Sequence, residues 1–252
     1  MKIVYLASEV APFYKSGGLA DVLGALPKKI QELGHEVSII MPKYDVIPLK
    51  YLEKLKWVAR LESHGEIFNL VRYPDEKINY YFIENKALYE RGHVYGDFDE
   101  DVQYAMFSEL ALRFLKEINL QADILHCNDW QTGPVPYFLN IRYNYDPFYW
   151  DMRTVYSIHN LMYQGKFSKY SFERMGYYMD NRDDLNFMEI GITYGDVVNT
   201  VSPTYAEEIK YAYFGEGLEW ITNQKYIHGI LNGIDIQEFD PETTKGIIHF
   251  NK

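Results

Sequence analysis

Two rhythms of apolar residues alternate along this chain. Residues 3–7, Ile3-Val4-Tyr5-Leu6-Ala7, form an unbroken apolar run of strand length. Such runs mark strands covered on both faces of a parallel sheet. Between residues 19 and 33 the apolar positions are 19, 22, 23, 26, 30 and 33, which is helical spacing, and Gly34 follows as a stop. Pro27 inside that helix predicts a kink. A second apolar run, 37–41, closes at Pro42, so residues 3–41 read as a right-handed βαβ unit.

The middle of the chain changes character. Segments 57–61, 67–72 and 78–83 cluster β-formers around polar turns and predict short strands or hairpins at a sheet edge. Residues 99–118 predict a long helix with acidic residues at its start. The βα alternation then resumes, with strands at 124–127, 153–158, 197–201 and 227–231. Helices are expected at 131–143 (despite Pro134 and Pro136), 184–194 and 203–211, the last with Ser202 as N-cap and Pro203 at its first position. The aromatic, polar connections 143–150 and 166–184 read as loops over a site. The fold class is α/β, a Rossmann-like parallel sheet with flanking helices and extra edge strands.

Composition narrows the function. The 252 residues are 47% hydrophobic and include 24 Tyr and 14 Phe, which excludes disorder. Twenty-five Lys and Arg against 36 Asp and Glu give a net charge of -11, which argues against a nucleic-acid binder. The single cysteine, Cys127, has no internal disulfide partner, and beside His126 in a buried strand it reads as an inert core thiol. Apolar runs are too short for a membrane span or a signal peptide. These features lead us to expect a soluble, cytoplasmic, single-domain protein.

Candidate chemistry collects just past the strand ends. Lys15-Ser16-Gly17-Gly18 follows the first strand, and Asn128-Asp129-Trp130 the strand at 124. His159-Asn160, Ser202-Pro203 and Asn232-Gly233-Ile234-Asp235 follow the strands at 153, 197 and 227. In a parallel sheet these segments share one rim, where open α/β folds bind ligands. The glycine turn fits either an anion site at a helix N-terminus or an ordinary βα turn; it matches neither G-x-x-x-x-G-K nor G-x-G-x-x-G. Asp129 fits either a cleft carboxylate or a helix cap, and His159 either a site residue or a structural one. The histidines show no metal-ligand spacing, and no G-x-S-x-G elbow occurs. Tyr14, Tyr95 and Tyr163 flank these loops, and exposed aromatics there would suit stacking on sugar rings.

With these residues in view, the chain resembles the N-terminal domain of bacterial glycogen synthases and plant-type starch synthases, glycosyltransferase family 5 of the GT-B architecture. The resemblance is carried by Ala7-Ser8-Glu9-Val10-Ala11-Pro12-Phe13, Lys15-Ser16-Gly17-Gly18-Leu19-Ala20-Asp21 and Val94-Tyr95-Gly96. It continues through His126-Cys127-Asn128-Asp129-Trp130-Gln131-Thr132, Ser157-Ile158-His159-Asn160-Leu161 and Ile230-Leu231-Asn232-Gly233-Ile234-Asp235. It implies retaining transfer of glucose from ADP-glucose to the non-reducing end of an α-1,4-glucan, with no metal or cofactor. By position, it implies that Lys15, Gly17 and Gly18 face the donor phosphates and that Asp21 stands at the cleft. It places Asp129 near the donor glucose, His159 with Asn160 on the transferred sugar, and Tyr95 and Asn232 on sugar.

Three positions depart from the pattern. Asn128 and Gln131 stand where the family usually has histidine, changing the hydrogen bonding around Asp129, and Glu189 stands where it commonly has lysine. The resemblance also implies a second Rossmann-like domain, in cis or in trans, that completes the ADP site. Residues 1–240 are then the N-terminal domain and 241–252 the start of a hinge, and the isolated chain is expected to be inactive. The competing reading is a standalone glucan- or sugar-nucleotide-binding domain. A flavodoxin-like or epimerase relative is disfavoured by the motif set.

Overall fold

In the computed structural model the chain is described at residues 1–174, 176, 184–235 and 240. The first apolar run becomes β1 (Lys2–Leu6), with Val4, Tyr5 and Leu6 all but inaccessible. It leads into α1 (Gly18–Glu32), which is continuous through the buried Pro27, and Gly34 beyond it takes the left-handed φ of 89° that ends a helix. β2 (Glu36–Pro42) pairs parallel to β1, completing the expected βαβ unit. After the single-turn helix α2 (Leu49–Leu52), strands β3 (Lys56–Ser63), β4 (Glu66–Tyr73) and β5 (Asn79–Glu84) follow. β5 runs parallel to β2, and β4 and β3 add antiparallel at the sheet's edge.

A second single-turn helix, α3 (Lys86–Tyr89), precedes α4 (Glu100–Glu117), and the chain then crosses to the other side of β1. There lie β6 (Ile124–Asn128), β7 (Arg153–Ile158), β10 (Val197–Thr200) and β11 (Ile227–Gly229), in the order β11-β10-β7-β6-β1-β2-β5-β4-β3. The sheet order reverses between β1 and β6, the switch point where open α/β sheets form their crevice. The register aligns the strand ends there: Leu6 pairs with Cys127, Asn128 with Ser157, and Ile158 with Thr200. The α/β class and the expected edge strands are both present.

Three expectations are corrected. Residues 131–143 do not form one helix. A 3-10 turn (Trp130–Thr132), α5 (Pro134–Tyr137) and a π turn (Phe138–Arg142) share the segment, because Pro134 and Pro136 lack the N–H groups a regular helix needs. Residues 166–184 are not a plain loop. β8 (Lys166–Ser168) pairs antiparallel with β9 (Asp184–Asn186), α6 (Lys169–Arg174) follows β8, and α7 (Phe187–Tyr194) begins only after the N-cap Asn186. Segment 143–150 packs at the other end of the sheet. There Tyr149 donates to Leu112 O and Lys116 pairs with Asp146, near the C-terminus of α4.

The last helices are α8 (Pro203–Glu208), α9 (Ala212–Gly215) and α10 (Glu219–Thr222). Ser202 caps α8 as expected, accepting from Tyr205 N. Much of the aromatic richness is core: Phe13 packs edge-on against Tyr51, Tyr73, Tyr80 and Phe82. The hinge expected over 241–252 lies outside the described residues.

Candidate functional site

A cavity of about 630 Å3 opens at the switch point, walled by the loops after β1, β6, β7 and β10 and by the start of α4. Of the residues singled out from sequence, Gly17, Gly18, Tyr95, Asp129, His159, Asn160 and Asn232 line it. Lys15 and Asp21 do not. They pair with each other at 2.6 Å on the rim, with Lys15 half-exposed.

The glycine turn is organised by a residue that sequence reasoning passed over. Glu9, only 5% exposed, turns its carboxylate into the turn. Its Oε2 accepts from Ser16 N at 2.5 Å and Gly17 N at 3.3 Å, and Ser16 Oγ donates to it as well. Tyr95 OH reaches Glu9 Oε1 at 3.4 Å and Ser8 Oγ at 2.9 Å. The first N–H groups of the turn thus already hold an internal anion. Gly18 differs, because a Cβ there would meet nothing within 4 Å. The signal for Glu9 was a carboxylate eight residues before a glycine turn whose N–H groups need an acceptor.

Asp129 stands at the N-cap position of the Trp130–Thr132 turn, but its side chain makes no capping bond there. Its backbone takes φ 56°, which is uncommon for any residue but glycine, and its side chain reaches across to the end of β7. Oδ1 accepts from His159 N at 2.7 Å and Asn160 N at 3.3 Å. Burial raises its pKa, while His159 and the two N–H donors pull the other way. The carboxylate therefore fixes the β7 loop to the β6 loop.

His159 is oriented from below. Asn128 Nδ2 donates to Leu6 O and His126 O, which turns Asn128 Oδ1 toward His159 Nε2 at 3.0 Å. An amide oxygen only accepts, so Nε2 carries the proton, and in the neutral ring Nδ1 is left as an acceptor. One strand further in, His126 Nε2 lies 2.6 Å from Ser157 Oγ, whose own proton goes to Asn199 Oδ1. Burial, with the neighbouring His159, lowers the His126 pKa to about 3.

The departures resolve differently. Asn128 faces the His159 ring and makes no bond to Asp129, whose partners are the His159 and Asn160 N–H groups. Gln131 is among the residues that line the cavity, and its Oε1 is inaccessible to solvent and without a hydrogen-bond partner. Glu189 stands in the first turn of α7 and is not part of the cavity wall.

Trp130 is held between the Tyr104 and Phe167 rings at 4.9 and 5.7 Å, and a Cβ on Gly165 would lie 2.4 Å from its indole. Tyr163 lines the cavity and is 63% exposed, as a stacking surface requires. Tyr14 instead packs on Tyr44 at 5.9 Å and lies outside the wall. Cys127 is fully buried, which pushes its thiol pKa up, so the core-thiol reading holds.

Three carboxylates, Glu9, Glu100 and Asp129, line the cavity, and no lysine or arginine does among the described residues. Glu100 has its pKa raised, first by burial and then by Asp97, Asp99 and Asp101, against a stabilising bond from Gly96 N. Such a wall suits a neutral ligand rich in hydroxyl donors.

Comparison with known proteins identifies the family and the fold. The family described as starch synthase catalytic domain matches residues 2–224. A glycogen synthase of Clostridium botulinum (strain Alaska E43 / Type E3) is 40% identical over 258 residues, covering 96% of this chain and 54% of that one. The glycogen synthase of Geobacillus stearothermophilus is 39% identical, covering 96% of this chain and 53% of that one. The chain thus spans about half the length of the relatives it matches. The catalytic domain of starch synthase IV from Arabidopsis thaliana, solved with ADP and acarbose, superposes with a TM-score of 0.90 at 32% identity. It covers 99% of this chain and 55% of its own. Sucrose-phosphate synthase from Thermosynechococcus elongatus shares the fold, with a TM-score of 0.55 at 11% identity. The GT-B expectation is met. No helix among the described residues is long and apolar enough to cross a membrane.

Proposed function

Because the chain belongs to the starch synthase catalytic-domain family, we propose that it forms the sugar-facing half of an ADP-glucose-dependent, retaining α-1,4-glucan synthase. In this reading glucose passes from ADP-glucose to the non-reducing end of a glycogen- or starch-like glucan. The observation that carries it is the carboxylate-lined cavity at the switch point, in which Asp129 braces His159.

Glucosyl transfer asks for two things: stabilisation of the departing diphosphate, and a fixed sugar beside negative charge while the anomeric carbon becomes electron-poor. This wall supports the second. His159 and Asn160 are held by Asp129, Tyr95 by Ser8 and Glu9, and Asn232 lies at the same rim. Lys15, Gly17 and Gly18 stand toward the donor phosphates. For Lys15 to engage them, the diphosphate must draw it from its exposed pair with Asp21, which is a weak bond to break. The reading needs no metal or cofactor. It calls for a C-terminal GT-B domain, in cis or in trans, to supply phosphate-binding cations, and for a cytoplasmic setting.

The test is ADP-glucose-dependent extension of glycogen by this chain alone and joined to the C-terminal half of the Geobacillus relative. The chain alone should show no turnover and the joined protein should be active. In that protein Lys15→Ala and His159→Ala should each lower kcat/KM by about a hundredfold with unchanged thermal midpoints. Turnover by the chain alone would falsify the half-site. A dead joined protein that still binds glucan would support a standalone binding domain instead.

A further inference from the structure

Of the carboxylates in the cavity wall, Glu9 stands where an anion from outside would be expected. N–H groups at a glycine turn and helix start favour anions, and Glu9 fills part of that turn from within. Its Oε2 takes Ser16 N, Ser16 Oγ and Gly17 N, and its Oε1 takes Ser16 Oγ and Tyr95 OH. Every one of these bonds is donated to Glu9, which is the pattern of an ionised carboxylate.

The helix that follows is left uncapped. α1 starts at Gly18, and its N-cap, Gly17, makes no side-chain capping bond. The N–H groups of Gly18 and Leu19 lie in the first turn, so the helix itself offers them no acceptor. Both residues line the cavity, and a Cβ on Gly18 would meet nothing within 4 Å. The turn is therefore divided. Ser16 and Gly17 hold an internal anion, while Gly18 and Leu19 border open space beside its charge.

That charge is close and far-reaching. A Cβ on Gly17 would lie 3.9 Å from Glu9 Oε1. After burial, the first cause in each case, the Glu9 charge adds to the raised pKa of Tyr14, Tyr95 and Asp129. No lysine or arginine lines the cavity among the described residues, and Lys15 on the rim is paired with Asp21. A phosphate arriving at Gly18 thus meets a helix start that attracts it and a buried carboxylate that repels it, with little water to screen either. We infer that Glu9 is a selectivity residue for anions: it keeps free phosphates off the start of α1, so that a diphosphate binds there only when cations from an opposing surface outweigh the carboxylate. Naming that diphosphate as the donor's rests on the glucan-synthase reading. Donor binding is then coupled to the arrival of the second wall, because this wall alone does not hold the phosphates.

The experiment titrates this chain with pyrophosphate and with ADP by calorimetry, with thermal melts and amide NMR alongside. Glu9→Gln keeps the side chain's length and one acceptor oxygen and removes the charge. It should bind both ligands about tenfold more tightly than the parent. A Glu9 that serves only to hold the turn together predicts the reverse, since a loosened turn binds anions less well. In the parent, high pyrophosphate should shift the Gly18 and Leu19 amides and leave those of Ser16 and Gly17 near their free positions.

Pyrophosphate binding by Glu9→Gln that is unchanged, or weaker at an unchanged midpoint, overturns the inference. A gain confined to ADP does so too, because it would act on the nucleoside and not on the phosphates. So does a parent in which the Ser16 and Gly17 amides shift first, a result that decides even where Glu9→Gln fails to fold. Each of these leaves the glucan-synthase reading intact, since glycogen extension by the joined protein tests that separately.

Discussion

Replacing Asp129 by alanine removes the carboxylate that ties the β7 end to the β6 end. Oδ1 accepts at 2.7 Å from His159 N and at 3.3 Å from Asn160 N. A hydrogen bond to a charged acceptor contributes about 1.5–3 kcal/mol, and the longer of these two sits at the weak end. Removing the cost of burying the carboxylate returns part of this, so the net loss is about 2–3 kcal/mol. For a chain of 252 residues that lowers the thermal midpoint by about 5–10 °C.

Glycine at the same position loses the same bonds but relieves the φ of 56°, which carries a strain of about 1–3 kcal/mol. Asp129→Gly should therefore melt above Asp129→Ala. Asparagine keeps the acceptor without the charge and should lie within about 1 kcal/mol of the parent.

The Asp129 pKa is raised in the folded state, so folding binds a proton more tightly than the unfolded chain does. The parent thus loses stability as pH rises from the unfolded value of 3.8 through the raised one. Asp129→Asn lacks that loss, so its advantage over the parent should be larger at neutral pH than in acid. The assay is thermal and urea unfolding of the three variants, with hydrogen exchange at the His159 amide as a local readout. An alanine variant that melts with the parent and keeps that amide protected would show that the brace carries no load.

Packing and charge give three further predictions. Gly133→Ala places a Cβ 1.9 Å from Phe187 O, a backbone atom that cannot step aside, so the fold should lose at least about 3 kcal/mol in urea unfolding. Gly18→Ala meets open space and should stay within about 0.5 kcal/mol of the parent; a larger change would contradict the open approach at that glycine. The His126 pKa falls from 6.5 to about 3 on folding, so the unfolded chain binds the extra proton. Stability should drop as pH falls below 6.5 and level off near 3. His126→Gln should flatten that profile, and an equally steep profile in the variant would assign the acid sensitivity to other groups.

What sequence reveals here follows from the range of the forces involved. Strands buried on both faces carry their own signature, so Ile3-Val4-Tyr5-Leu6 and the strands at 124, 153, 197 and 227 were legible, and with them the rim. The break-up of 131–143 was half-legible: Pro134 and Pro136 signal missing N–H groups, but which irregular turns replace the helix depends on packing against α7 and α4. The antiparallel pairing of β8 with β9 joins residues on either side of α6, and no local pattern in 166–184 announces it. The same limit applies in the site. Asp129, His159 and Asn160 could be grouped by their strand-end positions, yet the two hydrogen bonds that make them a unit span the gap between two loops. Tyr14 and Tyr95 look alike in sequence; only the packing on Tyr44 removes the first from the cavity.

The electrostatics of the wall also bear on what a partner surface must provide. Glu9 is buried against the turn whose N–H groups would otherwise meet a phosphate, and Glu100 and Asp129 extend the negative charge along the cavity. A diphosphate placed there would meet repulsion in a partly dry environment, where opposite charge is most needed and like charge costs most. A sugar meets the reverse. Its hydroxyls donate to carboxylates and amides, and positive charge developing at its anomeric carbon is stabilised by the same groups. The division of labour in the proposed synthase is therefore set by charge: this wall favours the sugar in the ground state and more strongly in the transition state. Apart from Lys15 at the rim, the cations that hold the leaving group have to come from across the cleft. A joined enzyme should accordingly lose donor affinity when basic residues of the added half are removed, with maltoheptaose binding to this wall unchanged. Loss of both together would place the phosphates and the glucan on one surface and contradict the division.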